Sequence, residues 1–421
     1  MAPIITPRIP CSIEQDYNQA MVGRFVARYK EAYSGLPKAV WMLAGVELAN
    51  RAGTMVFFFM TLYATRHLGF SLPQAGQIVS SYGIGSLIGA YLGGRLCDWV
   101  GAYHVQRISL GLSGVFFILL SFPESFPAVM ILMFLLGASA EALHPSNLTA
   151  VSQLCSPETR TRGFSLSRLA ANLGLSIGPV VGGYLALINY KWLFWVDGVT
   201  SLAALAIFQA FFSTQAGPPA SSRSEDRVPS KSAFKDRPFL LIWILSFLVA
   251  IVFSQLFATF PLYIREVYQL QENAIGQLIA VNTVQIVVIE MLIIHALQGH
   301  DPARVARVGA LALCAGFALM PLGRSFLYGA FTVMVWTFGE ILTLPLLVTL
   351  AAGRADQAGQ GRYQGLLGLS FALAMIVGPL VGTWIYNSTG PDRLWYGCGL
   401  LGVVLAAGFT LLIAIMEREK A

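Results

Sequence analysis

Twelve long apolar runs, set apart by short polar turns, leave this chain little choice but a bundle of membrane-crossing helices. They fall at about 39–64, 74–96, 106–122, 126–151, 163–188, 192–213, 238–264, 272–297, 305–322, 326–351, 363–387 and 394–416. A helix rising ~1.5 Å per residue needs about 20 such residues to cross a ~30 Å hydrocarbon layer. Composition supports lipid as the solvent. Of 421 residues, 56% are hydrophobic and 11% charged, with mean hydropathy +0.66. A soluble domain carries about 25% charged residues. The five cysteines, Cys11, Cys97, Cys155, Cys314 and Cys398, are scattered, with no metal-ligand spacing.

One polar stretch interrupts the pattern. From Thr214 to Arg237 the chain is rich in Ser, Pro and charge, which is linker composition. The expected division is a tail over 1–38, six helices over 39–213, a linker over 214–237 and six more helices over 238–421. The tail lacks the apolar core of a signal peptide. Its stretch from Tyr17 to Tyr33 alternates apolar and charged residues at helical spacing, as a surface helix or a solvated tail would.

The net charge of +6 does not imply nucleic acid, because the basic residues sit between apolar runs. With the N-terminus inside, about 21 Lys and Arg fall on one side. The other side receives Arg66, Lys191, Arg265, Arg324 and Arg393. The positive-inside rule then places both termini in the cytoplasm of a multi-pass plasma-membrane protein (inner membrane in a bacterium).

The halves repeat each other at an offset of about 200 residues. Leu62-Tyr63 matches Leu262-Tyr263, Gly76-Gln77 matches Gly276-Gln277, and Pro145 matches Pro345. Arg162 matches Arg362, and Gly178-Pro179 with Gly182 matches Gly378-Pro379 with Gly382. A single offset without gaps implies two structurally related bundles.

Two local motifs carry a family resemblance. After the second run comes Gly94-Arg95-Leu96-Cys97-Asp98-Trp99-Val100-Gly101, with Arg107 beyond it. It resembles the G-x-L-x-D-x-x-G loop of the major facilitator superfamily, without the basic residues usual after the aspartate and the last glycine. The fifth run carries Gly174, Gly178, Pro179, Gly182 and Gly183. This is similar to the G-x-x-x-G-P-x-x-G-G motif of that superfamily's drug/proton antiporter branch. Glycines four apart open a groove for another backbone, and the proline removes a donor and can kink the helix. The stripe Gly85, Gly89 and Gly93 in the second run reads as packing. A G-x-S-x-G match through Ser176 lies inside an apolar helix, not in the strand-turn-helix elbow a hydrolase needs.

Ionisable groups at membrane depth pair or work. Glu47 and Arg51 lie four apart on one helix face, an expected mutual pair. Glu141 and His144 lie three apart before Pro145, a combination suited to alternating protonation. Glu290 and Glu340 are lone acids in the second half, with Asn282 and Gln285 on the helix of Glu290. Asp197 ranks below them. Met133 stands where the family often has an arginine, so that coupling is either missing or moved to Arg51 or Arg168.

The resemblance implies an all-α membrane protein of the major facilitator fold, with 12 transmembrane helices in two pseudo-symmetric six-helix bundles. It implies no enzyme and no cofactor, but a monomer that moves a small molecule by alternating access. Proton-coupled efflux is the expectation. Nutrient uptake by symport, lipid flipping and a non-transporting receptor role stay open as alternatives.

Overall fold

The computed structural model describes residues 35–156, 159–212, 235–297, 299–354 and 360–420. The segment from Tyr17 to Tyr33 and nearly all of the expected linker lie outside the described residues. Among the described residues every regular element is helical. The α-helices are α1 Lys38–Ala52, α2 Val56–Leu62, α3 Leu72–Val100, α4 Ala102–Leu119 and α5 Phe126–Glu141. They continue as α6 Leu143–Leu154, α7 Arg160–Ile188, α8 Lys191–Phe212, α9 Arg237–Ala258 and α10 Phe260–Glu266. The last five are α11 Glu272–Ala296, α12 Pro302–Leu319, α13 Phe326–Arg354, α14 Gln360–Thr389 and α15 Pro391–Lys420.

Three pairs join end to end into single passes: α1 with α2, α5 with α6, and α9 with α10. The described residues therefore form twelve spans, numbered here 1 to 12. Among the described residues, nine helical stretches are long and apolar enough to cross a membrane on length and composition alone. Large apolar side chains face outward, such as Ile188, Leu327, Leu400 and Val403. Such a surface is tolerable only in lipid. An even number of passes puts Lys38 and Lys420 on one face, here called the terminal face; the other is the distal face.

Local chemistry starts and stops these helices. Ser71 and Gln74 form a capping box at the head of α3. Asp236 accepts from the Phe239 N–H at the head of α9, and Asp301 from those of Ala303 and Arg304 at the head of α12. Gly101, at φ 85°, turns α3 into α4, a backbone conformation that a side chain would strain.

Spans 1 to 6 pack into one bundle and spans 7 to 12 into another. Spans 5 and 8 make one seam between them, and spans 2 and 11 the other. The repeat explains these seams. A Cβ on Gly276 would stand 2.1 Å from the Pro179 carbonyl oxygen, and one on Gly76 would stand 3.0 Å from that of Pro379. Residues 76 with 379 and 276 with 179 are the same contact, related by the offset of 200. Of the helix 5 motif glycines, Gly183 also faces the seam, where a Cβ would stand 2.5 Å from the Glu272 carbonyl oxygen, while Gly174, Gly178 and Gly182 face into their own bundle. Gly178 meets Thr54 and Gly182 meets Met55, while Gly378 meets Ser254 and Gly382 meets Gln255. Span 5 runs helical through Pro179 without a break, so there the motif serves close approach.

Candidate functional site

Span 1 breaks at Gly53–Met55, and the break exposes backbone donors inside the membrane. Asp197 of span 6, fully buried, answers it. Its carboxylate accepts from the N–H groups of Met55 (2.9 and 3.2 Å) and Val56 (2.8 Å). Orphan donors in hydrocarbon cost several kcal/mol each, so this cap holds the break. Gly53 fits because a Cβ there would lie 1.8 Å from the Thr200 hydroxyl.

Just before the break stand Glu47 and Arg51. Arg51 Nε donates to Glu47 Oε1 at 3.0 Å, the pair expected from spacing. Asn147 of span 4 donates to Glu47 Oε2 at 3.1 Å, so spans 1 and 4 are tied through one carboxylate. Sequence reasoning missed Asn147; an amide in an apolar helix was the available signal.

Span 4 is split at Ala142, between Glu141 and His144. Pro145 has no N–H to offer the carbonyl of Glu141. No hydrogen bond or ion pair joins Glu141 to His144 among the described residues. His144 is exposed and Glu141 half-buried, so the two do not form the expected unit. Glu141 lies instead within electrostatic reach of Arg51 and Tyr82.

The second bundle holds the matching acids. Asn282 donates to Glu340 Oε2 at 2.8 Å and to the Thr337 hydroxyl at 2.9 Å. Glu290 is not a lone acid, because Arg168 of span 5 reaches across the seam and pairs with it. A long arginine stem makes such a reach possible, and nothing in helical spacing signals it. Glu340 is likewise tethered through Asn282.

Five cross-bundle hydrogen bonds among the described residues show which side is shut. Four lie in the distal half: Arg66 to Glu266, Ser80 to the Ile376 carbonyl, Tyr190 to Glu272 and Gln277 to Tyr184. Only the Arg168–Glu290 tie lies in the terminal half. The loop after span 2 is disengaged. Asp98 is exposed and has no hydrogen-bond or ion-pair partner among the described residues, and no atom crowds Gly94 or Gly101. Arg107 has turned away to donate to the Phe212 carbonyl at 2.6 Å. A groove of about 510 Å³ between spans 2, 4 and 11 contains none of these ionisable groups.

Two six-helix bundles around a midplane set of ionisable groups, sealed on one side, define a secondary transporter. The chain belongs to the major facilitator superfamily: the profile described as Major Facilitator Superfamily matches residues 43–363. It is 23% identical to YttB, an uncharacterised MFS-type transporter of Bacillus subtilis, over 84% of this chain and 90% of that one. It is 25% identical to the multidrug resistance protein MdtH of Proteus mirabilis, over 80% of this chain and 83% of that one. Among solved structures, a peptide transporter POT in complex with sulfate superposes with TM-score 0.77 at 18% identity, covering 92% and 96% of the two chains. At that identity the likeness speaks for the fold.

Proposed function

We propose that this protein is a proton-coupled exporter of a small molecule, monomeric and set in the plasma membrane with both termini cytoplasmic. One observation carries the reading. Two intramembrane ion pairs, Glu47–Arg51 and Arg168–Glu290, and the Asp197 cap account for three of five acids. Glu141 and Glu340 remain, one in each bundle, neither in an ion pair with a cation. An unneutralised carboxylate is costly to carry through a closed cavity, so each crosses with a proton or with substrate. That exclusion couples the two.

In the cycle, a proton from the distal side neutralises Glu141 or Glu340 and frees the substrate. The protonated site then closes distally, as in this structure, and discharges its proton toward the terminal face. His144, exposed on that side of the break, is placed to receive it. The disengaged loop of Gly94, Asp98 and Gly101 fits this state, because in the family that loop stabilises the opposite one. The resemblance to a multidrug resistance protein and the glycine motif of span 5 favour export.

The test uses everted membrane vesicles energised with a proton gradient and challenged with a compound panel. A compound should discharge the gradient with wild type and not with Glu141→Gln or Glu340→Gln. Discharge that survives in both variants removes these carboxylates from coupling. Accumulation of a nutrient driven by an imposed gradient, with no discharge by any compound, replaces export with uptake.

A further inference from the structure

A cavity of about 730 Å³ opens at the terminal end of spans 8, 9 and 10. It lies within the ~300–1,000 Å³ range of small-molecule sites. The repeat explains why it exists. In the first bundle, Gly89 and Gly93 bring span 2 against the backbone of Ala138 and Ala142 in span 4. At the equivalent places span 8 carries Ile289 and Ile293. Span 8 therefore lacks the glycines that admit span 10 closely, and Ile293 lines the cavity.

Its lining changes character with depth. The rim carries His300, Arg304 and Arg307 in the turn before span 9 and its first turns. The inner wall is apolar, with Leu297, Val308 and Phe338. Val308 is 54% and Phe338 43% exposed, so the wall opens sideways to lipid. Two acids stand near the basic rim, and each is engaged. Asp301 accepts from the N–H groups that begin span 9, and Glu417 pairs with Arg304 at 2.8 Å. Arg307 has a neutral recorded partner, the Thr410 hydroxyl at 3.2 Å. Among the described residues Arg307 thus has no counter-ion, and it sits where headgroups lie, above a slot of acyl-chain character. Basic pockets between membrane helices select anionic headgroups for this reason.

We propose that the cavity between spans 8, 9 and 10 binds an anionic phospholipid, its phosphate on Arg307 and Arg304 and one acyl chain along Val308 and Phe338. The site is separate from the carboxylates of the transport cycle and does not depend on the direction of transport. Bound lipid would fill the space that lets span 8 move against span 10.

The full-length protein is reconstituted in vesicles of phosphatidylcholine doped with phosphatidylglycerol, extracted gently, and its retained lipid counted by mass spectrometry. Wild type should retain phosphatidylglycerol above its share of the vesicle. Arg307→Gln should lower that enrichment roughly fivefold, the weight of one cation at a membrane surface. Val308→Trp fills the slot without changing charge and should lower retention of both lipids. Arg324→Gln, an exposed cation on the distal face, is the control and should change nothing. Melting curves establish that each variant is folded. Enrichment that persists in folded Arg307→Gln, or equal retention of the two lipids by wild type, overturns the proposal. Displacement of the lipid by millimolar inorganic phosphate also overturns it, since the site would then be one for a free anion.

Discussion

Spans 4 and 10 are repeat partners, each with a proline at the same register, yet Pro145 accompanies a break and Pro345 sits in an unbroken helix. The two bundles differ in what presses on these helices. In the first, the glycine stripe of span 2 lies against span 4: a Cβ on Gly85 would stand 2.0 Å from the Phe134 carbonyl oxygen. In the second, residue 285 is glutamine, and its amide bonds to the Met334 carbonyl at 3.1 Å. The same backbone carbonyl, 200 residues apart, is met by a bare helix in one half and by a side chain in the other. The small residues have moved to a different seam. Gly309, Gly316 and Gly339 bring span 9 onto span 10, where the first bundle uses Ser109 to bond the Ser139 carbonyl. Without a hydrophobic driving force in lipid, such close contacts decide which helices travel together. Span 4 is bound to span 2, and span 10 to span 9.

The largest expected effect comes from exchanging residues across the repeat. Gly85→Gln must push a side chain through a backbone contact, and overpacking costs ~1–3 kcal/mol even where neighbours can move. Here the neighbour is main chain, so we expect no monodisperse protein on size-exclusion chromatography. Gln285→Gly removes one hydrogen bond worth ~0.5–1.5 kcal/mol and should only lower the melting temperature modestly. Similar losses for both would erase the proposed difference between the seams.

The next effect falls on the breaks in spans 1 and 7. Asp197→Ala strands the Met55 and Val56 donors, at ~1–3 kcal/mol for each buried group. In span 7 the corresponding region is held by Gln255, which bonds the Gly378 carbonyl at 3.0 Å and accepts from Thr259 at 2.9 Å. Gln255→Ala loses neutral bonds only, so its drop in melting temperature should be the smaller. Asp197→Asn keeps one acceptor oxygen and should fall between the two.

These two breaks also show where sequence reading stops. The spans and the repeat were legible because lipid demands long apolar runs and duplication leaves a constant offset. The Glu47–Arg51 pair was legible because four residues make one helical turn. Asp197 ranked low because the other acids look deeper in their runs, and its partners, backbone N–H groups 141 and 142 residues away, leave no mark in spacing. Glu290 read as a lone acid for the same reason: Arg168 lies on another bundle, and register along one helix cannot show it. Glu141 and His144 are not hydrogen-bonded to each other, and their spacing of three did not show on which side of the Ala142 turn each would stand. Both residues are helical, and only Ala142 between them interrupts the helix, next to the carbonyl of Glu141 that Pro145 cannot bond.

A smaller effect separates the terminal faces. In the second bundle Arg354 binds Asp236 through two nitrogens at 2.8 and 3.0 Å and Glu419 at 2.6 Å, while Tyr363 donates to Asp236 at 3.2 Å. This network joins spans 7, 10, 11 and 12. Arg354→Gln should cost on the order of 1 kcal/mol, because the site is partly exposed and water screens it. High salt should shrink the difference from wild type in a melting experiment.

The smallest effect on stability belongs to Asp98, the first bundle's charge at the same face. It is exposed and has no partner among the described residues in this distally sealed state, so Asp98→Ala should leave the melting curve unchanged when this state dominates. Its effect is expected in the other state, which the resemblance to the family loop implies this loop stabilises. A substitution that is neutral in one state and harmful in the other shifts the equilibrium between them by that difference alone. Cysteine pairs across the distal seam, Ser80 with Ile376, read this shift through crosslinking yield. Asp98→Ala should raise the yield while thermal stability stays level. Unchanged crosslinking would mean that the loop does not distinguish the states here, in keeping with the missing basic residues at Trp99 and Ala102. The disengaged loop would then be the resting arrangement of the first bundle, and the clamp around Arg354 would mark the only terminal face that holds its charges.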